Sequence, residues 1–312
     1  MKTWDINEKK YDMQDGYCLI KADFDLFIKH FIIYSTRNMW LIDDFKNMYN
    51  KIMQSEKENL TDSVFWIEYN NVRVGGAIIS PKKLSDCFLI PPFENRYIVF
   101  DKLNKVLSSW SAKGDDITVR VNSSGEKNIF LSFGYKIQWE RCAMIRPTDK
   151  FSITWDNELS VNIPDTNNVD ELAQFFVKAH IGSSDDKGDS KEAFDNEIKQ
   201  LKYFFNIFEK NGSLSHSCFI RDKSSGIIIG ACIAGKDESD PYGYTGIVDV
   251  AVLPEYRGKS IAQNMIKYSM TAASDTCPVI VLGVTVGNNA QSLYTKLGFI
   301  SAATFTGLTR IC

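Results

Sequence analysis

The sequence predicts an α/β protein with a mixed sheet, built as two tandem copies of one fold. Three observations carry this. Strand-like and helix-like periods alternate through both halves of the chain. Its 312 residues exceed one ordinary domain. Finally, Asn128-Ile-Phe-Leu-Ser-Phe-Gly-Tyr135 aligns with Ser292-Leu-Tyr-Thr-Lys-Leu-Gly-Phe299, each after a buried strand and before a terminal one.

In the first half, helical spacing is expected over Asp23–Tyr34 and Leu41–Met53. Val64–Tyr69 and Val72–Ile79 read as strands meeting at Asn70-Asn71, a tight turn. Asp86–Ile90 is a short strand, Tyr97–Trp110 a helix with one polar side, and Ile117–Val121 a strand. Lys127–Phe133 is a short helix stopped by Gly134, a residue suited to a C-cap, and Tyr135–Ile145 is strand-like. Pro147–Asp156 reads as a linker, giving domains at 1–150 and 157–312.

The second half repeats the order. Leu159–Ile163 is a strand, followed by helices over Val169–Ala179 and Lys191–Phe208. Ser217–Asp222 and Gly226–Gly235 form a strand pair, and Gly246–Leu253 a third strand. A helix over Ser260–Ala273, a strand over Val279–Val284 and a helix over Ala290–Leu297 come next. Phe299–Leu308 is expected to finish this half's sheet.

Composition narrows the function. Hydrophobic residues are 44% and charged ones 24%, which fits a globular chain rather than a disordered one. Residues 1–150 hold 22 Lys and Arg against 20 Asp and Glu, a balance of +2. Residues 151–312 hold 14 against 19, a balance of −5. Neither half has the basic excess of a phosphate-backbone binder, so no nucleic-acid partner is expected. The acidic second half suits a cationic substrate or simply solvated loops. No apolar run reaches the roughly 20 residues that span a bilayer, so no membrane partner is expected. The first residues lack a secretory signal, and the cytoplasm is the expected location. Seven scattered cysteines without C-x-x-C spacing argue against a disulfide framework and a zinc site. The three histidines, His30, His180 and His216, are too dispersed for a metal cluster and are expected to be structural or solvated.

The stretch that carries chemistry is Val248-Asp-Val-Ala-Val-Leu-Pro-Glu-Tyr-Arg-Gly-Lys-Ser-Ile-Ala262. A strand enters a turn, and the turn opens a helix. The first N–H groups of a helix have no intrahelical partner, and the dipole makes that end positive, so the turn is an anion site. Gly258 permits close approach to the backbone, and Arg257 and Lys259 add positive charge.

These residues resemble the acetyl-CoA pyrophosphate motif of the GNAT N-acetyltransferase superfamily, an R/Q-x-x-G-x-G/A following a strand. Asn288-Asn-Ala-Gln-Ser-Leu-Tyr-Thr-Lys-Leu-Gly-Phe299 is similar to that family's second signature. The family's central glycine is Ser260 here, while Ala262 fits the last position. The resemblance covers about residues 160–310 by motif and the first half by fold only. It implies two tandem GNAT folds and acetyl-CoA as co-substrate, with no metal.

The resemblance also implies roles. Val250, Ala251 and Val252 would pair with the pantetheine arm, and an N–H near Val250 would polarise the thioester carbonyl. Arg257, Gly258, Lys259, Ser260, Ile261 and Ala262 would hold the pyrophosphate, with Asn288 and Asn289 in the second motif. Those two asparagines equally suit the cap of the next helix. Tyr294 would protonate the departing thiolate. Asp249 is a candidate base, although strand alternation can point it away; Glu238 and Asp240 are alternatives. The acceptor, a small-molecule or peptide amine, is expected between the halves beside Lys236–Tyr244, where Asp240, Tyr242 and Tyr244 suit an ammonium group.

The first half lacks these parts. Pro91-Pro-Phe-Glu-Asn-Arg-Tyr97 stands where the phosphate turn should be, and Phe130 stands at the place of Tyr294. A degenerate copy that does not bind CoA is expected. The leading expectation is an acetyl-CoA-dependent N-acetyltransferase, monomer or homodimer. The alternatives are a non-catalytic acyl-CoA-binding or regulatory module, or a transferase using a longer acyl donor.

Overall fold

The computed structural model describes residues 2–35, 61–236 and 244–312. The expected helix Leu41–Met53 and the loop residues Glu238, Asp240 and Tyr242 lie outside them. The chain divides into two compact units. Unit 1 is Met1–Cys142 with Ala302–Cys312, and unit 2 is Ala143–Ser301.

Unit 1 opens with a hairpin that sequence periodicity missed, β1 (Lys10–Asp12) and β2 (Tyr17–Lys21). Gln14, Asp15 and Gly16 turn it with positive φ. Helix α1 (Phe24–Ser35) follows. The sheet continues through β3 (Val64–Tyr69), β4 (Val72–Ser80) and β5 (Lys83–Leu89), all antiparallel. Helix α2 (Arg96–Trp110) then crosses to β6 (Asp116–Val121), which lies parallel to β5. The buried residues Val99, Phe100, Leu103, Val106, Leu107 and Trp110 recur at helical spacing and face the sheet. Helix α3 (Ser124–Ser132) is capped by Ser123, whose Oγ accepts the Glu126 N–H at 3.3 Å, and strand β7 (Lys136–Pro147) follows. Phe130, fully buried, packs edge-on against Phe100 and Tyr135 in the unit 1 core.

Unit 2 uses the same plan. Strands β8 (Leu159–Asn162), β9 (Cys218–Asp222), β10 (Ile228–Gly235) and β11 (Tyr244–Val252) are antiparallel neighbours. Between β8 and β9 lie α4 (Val169–His180) and α5 (Lys191–Lys210). Helix α6 (Ile261–Ala273) crosses to β12 (Val279–Thr285), parallel to β11, and α7 (Ala290–Lys296) follows. The series strand–strand–strand–helix–parallel strand–helix therefore occurs twice, as the internal alignment predicted.

The units are not consecutive halves. The last strand, β13 (Ile300–Ile311), was expected to finish the second sheet. Its residues from Ala302 onward belong to unit 1, where Thr306 pairs with Val121 and Ile311 with Asp116. Strand β7 passes the other way, its residues after Cys142 belonging to unit 2. Local periodicity identifies a strand but not the sheet that it joins. No helix among the described residues is long and apolar enough to cross a membrane.

Candidate active site

Strand β11 is the spine of the site. Its parallel ladder with β12 runs from Tyr244↔Val279 to Ile247↔Leu282 and stops there, while β11 continues to Val252. Residues Asp249–Val252 keep their ladder with β10 and leave their other edge open towards β12's side. The two strands part where the resemblance placed the thioester arm, beside Val250, Ala251 and Val252.

The parting coincides with a β-bulge. Ile233 of β10 faces Asp249, but Ala234 faces Ile247, so Val248 is an extra residue in β11. A bulge shifts the alternation by one position. Gly235, two positions from Ile233 on β10, approaches Phe208 of α5, whereas Gly230 on the other face approaches Ile261 and Met265 of α6. Ile233 and its partner Asp249 thus lie on the face covered by α4 and α5 rather than α6. Simple alternation, with no bulge, would have left Asp249 on the face of Ile247.

There Asp249 meets His180, the last residue of α4. His180 Nε2 lies 3.1 Å from both Asp249 carboxylate oxygens. Helix α4 follows a 3₁₀ turn, Thr166–Asn168, closed by the Asp165–Asn168 capping box; it carries Asp170 and Glu171 in its first turn and ends with Lys178 and His180, as the helix dipole favours. Burial alone pulls the His180 pKa down. The bond and charge of Asp249, aided by Asp185 and Glu197, more than offset this and hold it above its ordinary value. His180 was expected to be structural or solvated; its partner lies 69 residues away, which no local pattern shows.

The turn after β11 is built from a short 3₁₀ turn at Pro254–Tyr256, then Arg257, Gly258 at φ +80°, Lys259 and Ser260. A Cβ placed on Gly258 would meet nothing within 4 Å, so the backbone there is open to a ligand. Ser260 sits at the α6 N-cap in the left-handed region, φ 59° and ψ 10°, and its side chain makes no cap bond. The resemblance expects glycine at this position, and the backbone still adopts a glycine-like conformation. Ile261 and Ala262 open α6. Lys259 is exposed, its Nζ 5.1 Å from the Tyr256 ring centre.

Two expected cofactor ligands are engaged elsewhere. Arg257 does not simply add charge to the turn: its Nε donates to the Val252 carbonyl at 3.1 Å and its Nη2 to the Ala179 carbonyl at 2.8 Å. Asn288 donates from Nδ2 to Ser184 Oγ at 2.9 Å and Asp185 Oδ2 at 3.2 Å, while its Oδ1 accepts the Ala290 N–H at 2.9 Å. Asn289 is the N-cap residue of α7 without a side-chain cap bond. Tyr294 is buried in α7 and packs edge-on against Phe299, ring centres 6.0 Å apart. Tyr244, half-buried, starts β11, at the strand end opposite the phosphate turn.

Residues 183–299 match the model of the acetyltransferase (GNAT) family. A search of curated protein sequences finds no match. Among solved structures, the chain is similar to a GCN5-related N-acetyltransferase from Sphaerobacter thermophilus, at 13% identity and a TM-score of 0.59 over 84% of each chain. A tandem GNAT protein from the clavulanic acid biosynthesis pathway is similar at 10% identity and a TM-score of 0.50, over 79% of this chain and 82% of that one. A GNAT-family acetyltransferase from Colwellia psychrerythraea is similar at 14% identity and a TM-score of 0.50, over 82% of this chain and 95% of that one. At these identities the structures speak to fold, and the family model speaks to the segment that holds β11, the turn, α6 and α7. Residues 183–299 thus match the GNAT acetyltransferase family, and the chain as a whole has the fold of these GNAT structures.

Proposed function

We propose that the chain is an acetyl-CoA-dependent N-acetyltransferase that acts on a primary amine of a small molecule or peptide, with its chemistry in unit 2. One observation carries this reading: β11 parts from β12 at a bulge that turns Asp249 onto His180, directly before an open strand edge and a glycine turn. The turn suits a pyrophosphate, since Gly258 leaves space above the backbone and the α6 N-terminus supplies N–H donors. The open edge at Val250–Val252 suits an extended amide-bearing arm, and an N–H near Val250 polarises the thioester carbonyl.

His180 and Asp249 supply the base. The Asp249 carboxylate selects the tautomer with the proton on Nε2, which leaves Nδ1 to accept a proton from the acceptor ammonium. A raised imidazole pKa brings the base closer to the amine it serves. Tyr294 returns a proton to the departing thiolate. Unit 1, with Pro91-Pro92 in place of the glycine turn and Phe130 in place of Tyr294, is a degenerate copy that takes no part in cofactor binding.

Release of free CoA from acetyl-CoA, measured against a panel of amines, tests the proposal. Amine-dependent release is expected. A second reading, a non-catalytic acyl-CoA-binding module, draws support from the Cβ that Ser260 places at the phosphate turn. Acetyl-CoA binding without turnover of any amine would favour it. Failure of calorimetry to detect binding of acetyl-CoA or a longer acyl-CoA would overturn both.

A further inference from the structure

The chain on either side of His180 is held by residues from the two sequence motifs. Before it, the Ala179 carbonyl is one of those that a helix end leaves without an intrahelical partner, and Arg257 Nη2 donates to it at 2.8 Å. The same guanidinium donates through Nε to Val252, three residues past Asp249, so one side chain ties α4 to the strand that carries its partner. After it, the loop that leaves α4 is fastened at Ser184 and Asp185 by Asn288 Nδ2, and Thr285 Oγ1 donates to Asp185 Oδ1 at 3.1 Å. Asn288 spends its carbonyl on the Ala290 N–H, so both ends of its carboxamide are committed within the protein.

We infer that Arg257 and Asn288 are positioning residues that hold His180 against Asp249 from either side, rather than ligands of the cofactor. The inference rests on the reading of His180 and Asp249 as the base pair. It gives the opening residues of both motifs a role on the acceptor side of the reaction. The charged groups around His180 are Asp249 from β11, Asp185 and Asp186 from the following loop and Glu197 from α5, with Lys187 paired to Glu197 at 3.1 Å. The ring also stacks on Phe176 one turn earlier, centres 6.0 Å apart.

The chain has three histidines, which makes the test direct. The imidazole resonances of the full chain are titrated by NMR in the parent, in Arg257→Met and in Asn288→Ser. The serine retains an oxygen for the Ala290 N–H and removes the amide donor. His216, buried and held down to about 4, serves as an internal control because it lies against Thr245. We expect the His180 midpoint to fall towards its ordinary value in each variant, with His216 unmoved. The kcat should fall about tenfold, while the Kd for acetyl-CoA stays within about threefold. A His180 midpoint unchanged in both variants overturns the inference, whatever happens to cofactor binding. If Arg257→Met does not fold, Arg257→Lys, which keeps the charge but not the forked geometry, takes its place. His180→Gln separates the two readings: a pH–rate profile unaltered by that change removes the base assignment and leaves the NMR result standing as a test of position.

Discussion

Ser260→Gly should make the protein more stable. Ser260 holds φ 59° and ψ 10°, and its side chain makes no cap bond, so the change removes strain without removing an observed interaction. A left-handed conformation costs an L-residue roughly 1–2 kcal/mol. Glycine returns roughly 0.5–1 kcal/mol of that through the freedom it gains in the unfolded chain. The net gain is about 0.5 kcal/mol and at most about 1.5, or a rise in Tm of about 1–5 °C for a unit of this size. Thermal unfolding by circular dichroism would measure it, with two companions. Ser260→Ala keeps the strain and should stay within about 0.5 kcal/mol of the parent. Ser260→Val puts a β-branched side chain at positive φ and should cost about 1 kcal/mol or more. The glycine variant should also bind acetyl-CoA a few-fold more tightly, because the Cβ no longer stands at the phosphate turn. A glycine variant less stable than the parent by more than about 0.5 kcal/mol would refute the reasoning, since the hydroxyl would then be worth more than the strain.

Four further outcomes follow from the geometry. Tyr294→Phe should lower kcat by roughly 10²–10⁴-fold with little change in acetyl-CoA affinity; unchanged turnover would give the proton transfer to water. Asp249→Asn should remove most activity and return the His180 titration towards its ordinary value, visible in the acidic limb of the pH–rate profile. Gly235→Ala would set a Cβ 2.3 Å from the Phe208 ring at its rigid end, and should destabilise by about 1–3 kcal/mol in urea unfolding. His216, buried, and His180, half-buried, should oppose each other in pH dependence. His216, depressed to about 4, is protonated more readily in the unfolded chain, so its contribution is full above pH 6.5 and lost as pH falls towards 4. His180, raised, contributes fully below 6.5 and loses that contribution as pH rises through its folded pKa. Urea titrations at pH 4.5, 6 and 8 on the parent and on His216→Gln would separate the two; an equal acid loss in both proteins would contradict the His216 assignment.

Much of unit 2 could be read from the chain because its signals are local. Ile261, Met265, Ile266, Met270 and Ala273 repeat at helical spacing and face the sheet as the period requires. The glycine turn and the α7 signature sit where the motif spacing placed them. What the sequence hid depends on pairing. The bulge at Val248 arises from the register of β11 on β10, and nothing in Ile247-Val248-Asp249 marks it. The His180 partner is reached across a helix end and a strand. The hairpin β1–β2 was missed because Lys10–Asp12 is three residues long, with charges at both ends and one buried tyrosine. The hydrogen bonds of Arg257 to the Val252 and Ala179 carbonyls and of Asn288 to Ser184 and Asp185 span up to 104 residues of sequence, which no motif shows.

The place of β13 in unit 1 also governs how the chain is made. A ribosome delivers residues in order, and domains near the start usually fold while the rest is still being synthesised. Here the antiparallel neighbour of β6 arrives only with Ala302–Cys312, after the whole of unit 2 has emerged. Until then the edge of β6 waits with an unfilled row of peptide groups, the kind of edge to which other chains add. Unit 2, apart from that strand, can assemble first, so the later half of the polypeptide completes before the earlier one. A nascent chain halted before residue 302 would accordingly expose the β6 edge to chaperones and to other copies of itself, and residues 302–312 complete a unit begun some three hundred residues earlier.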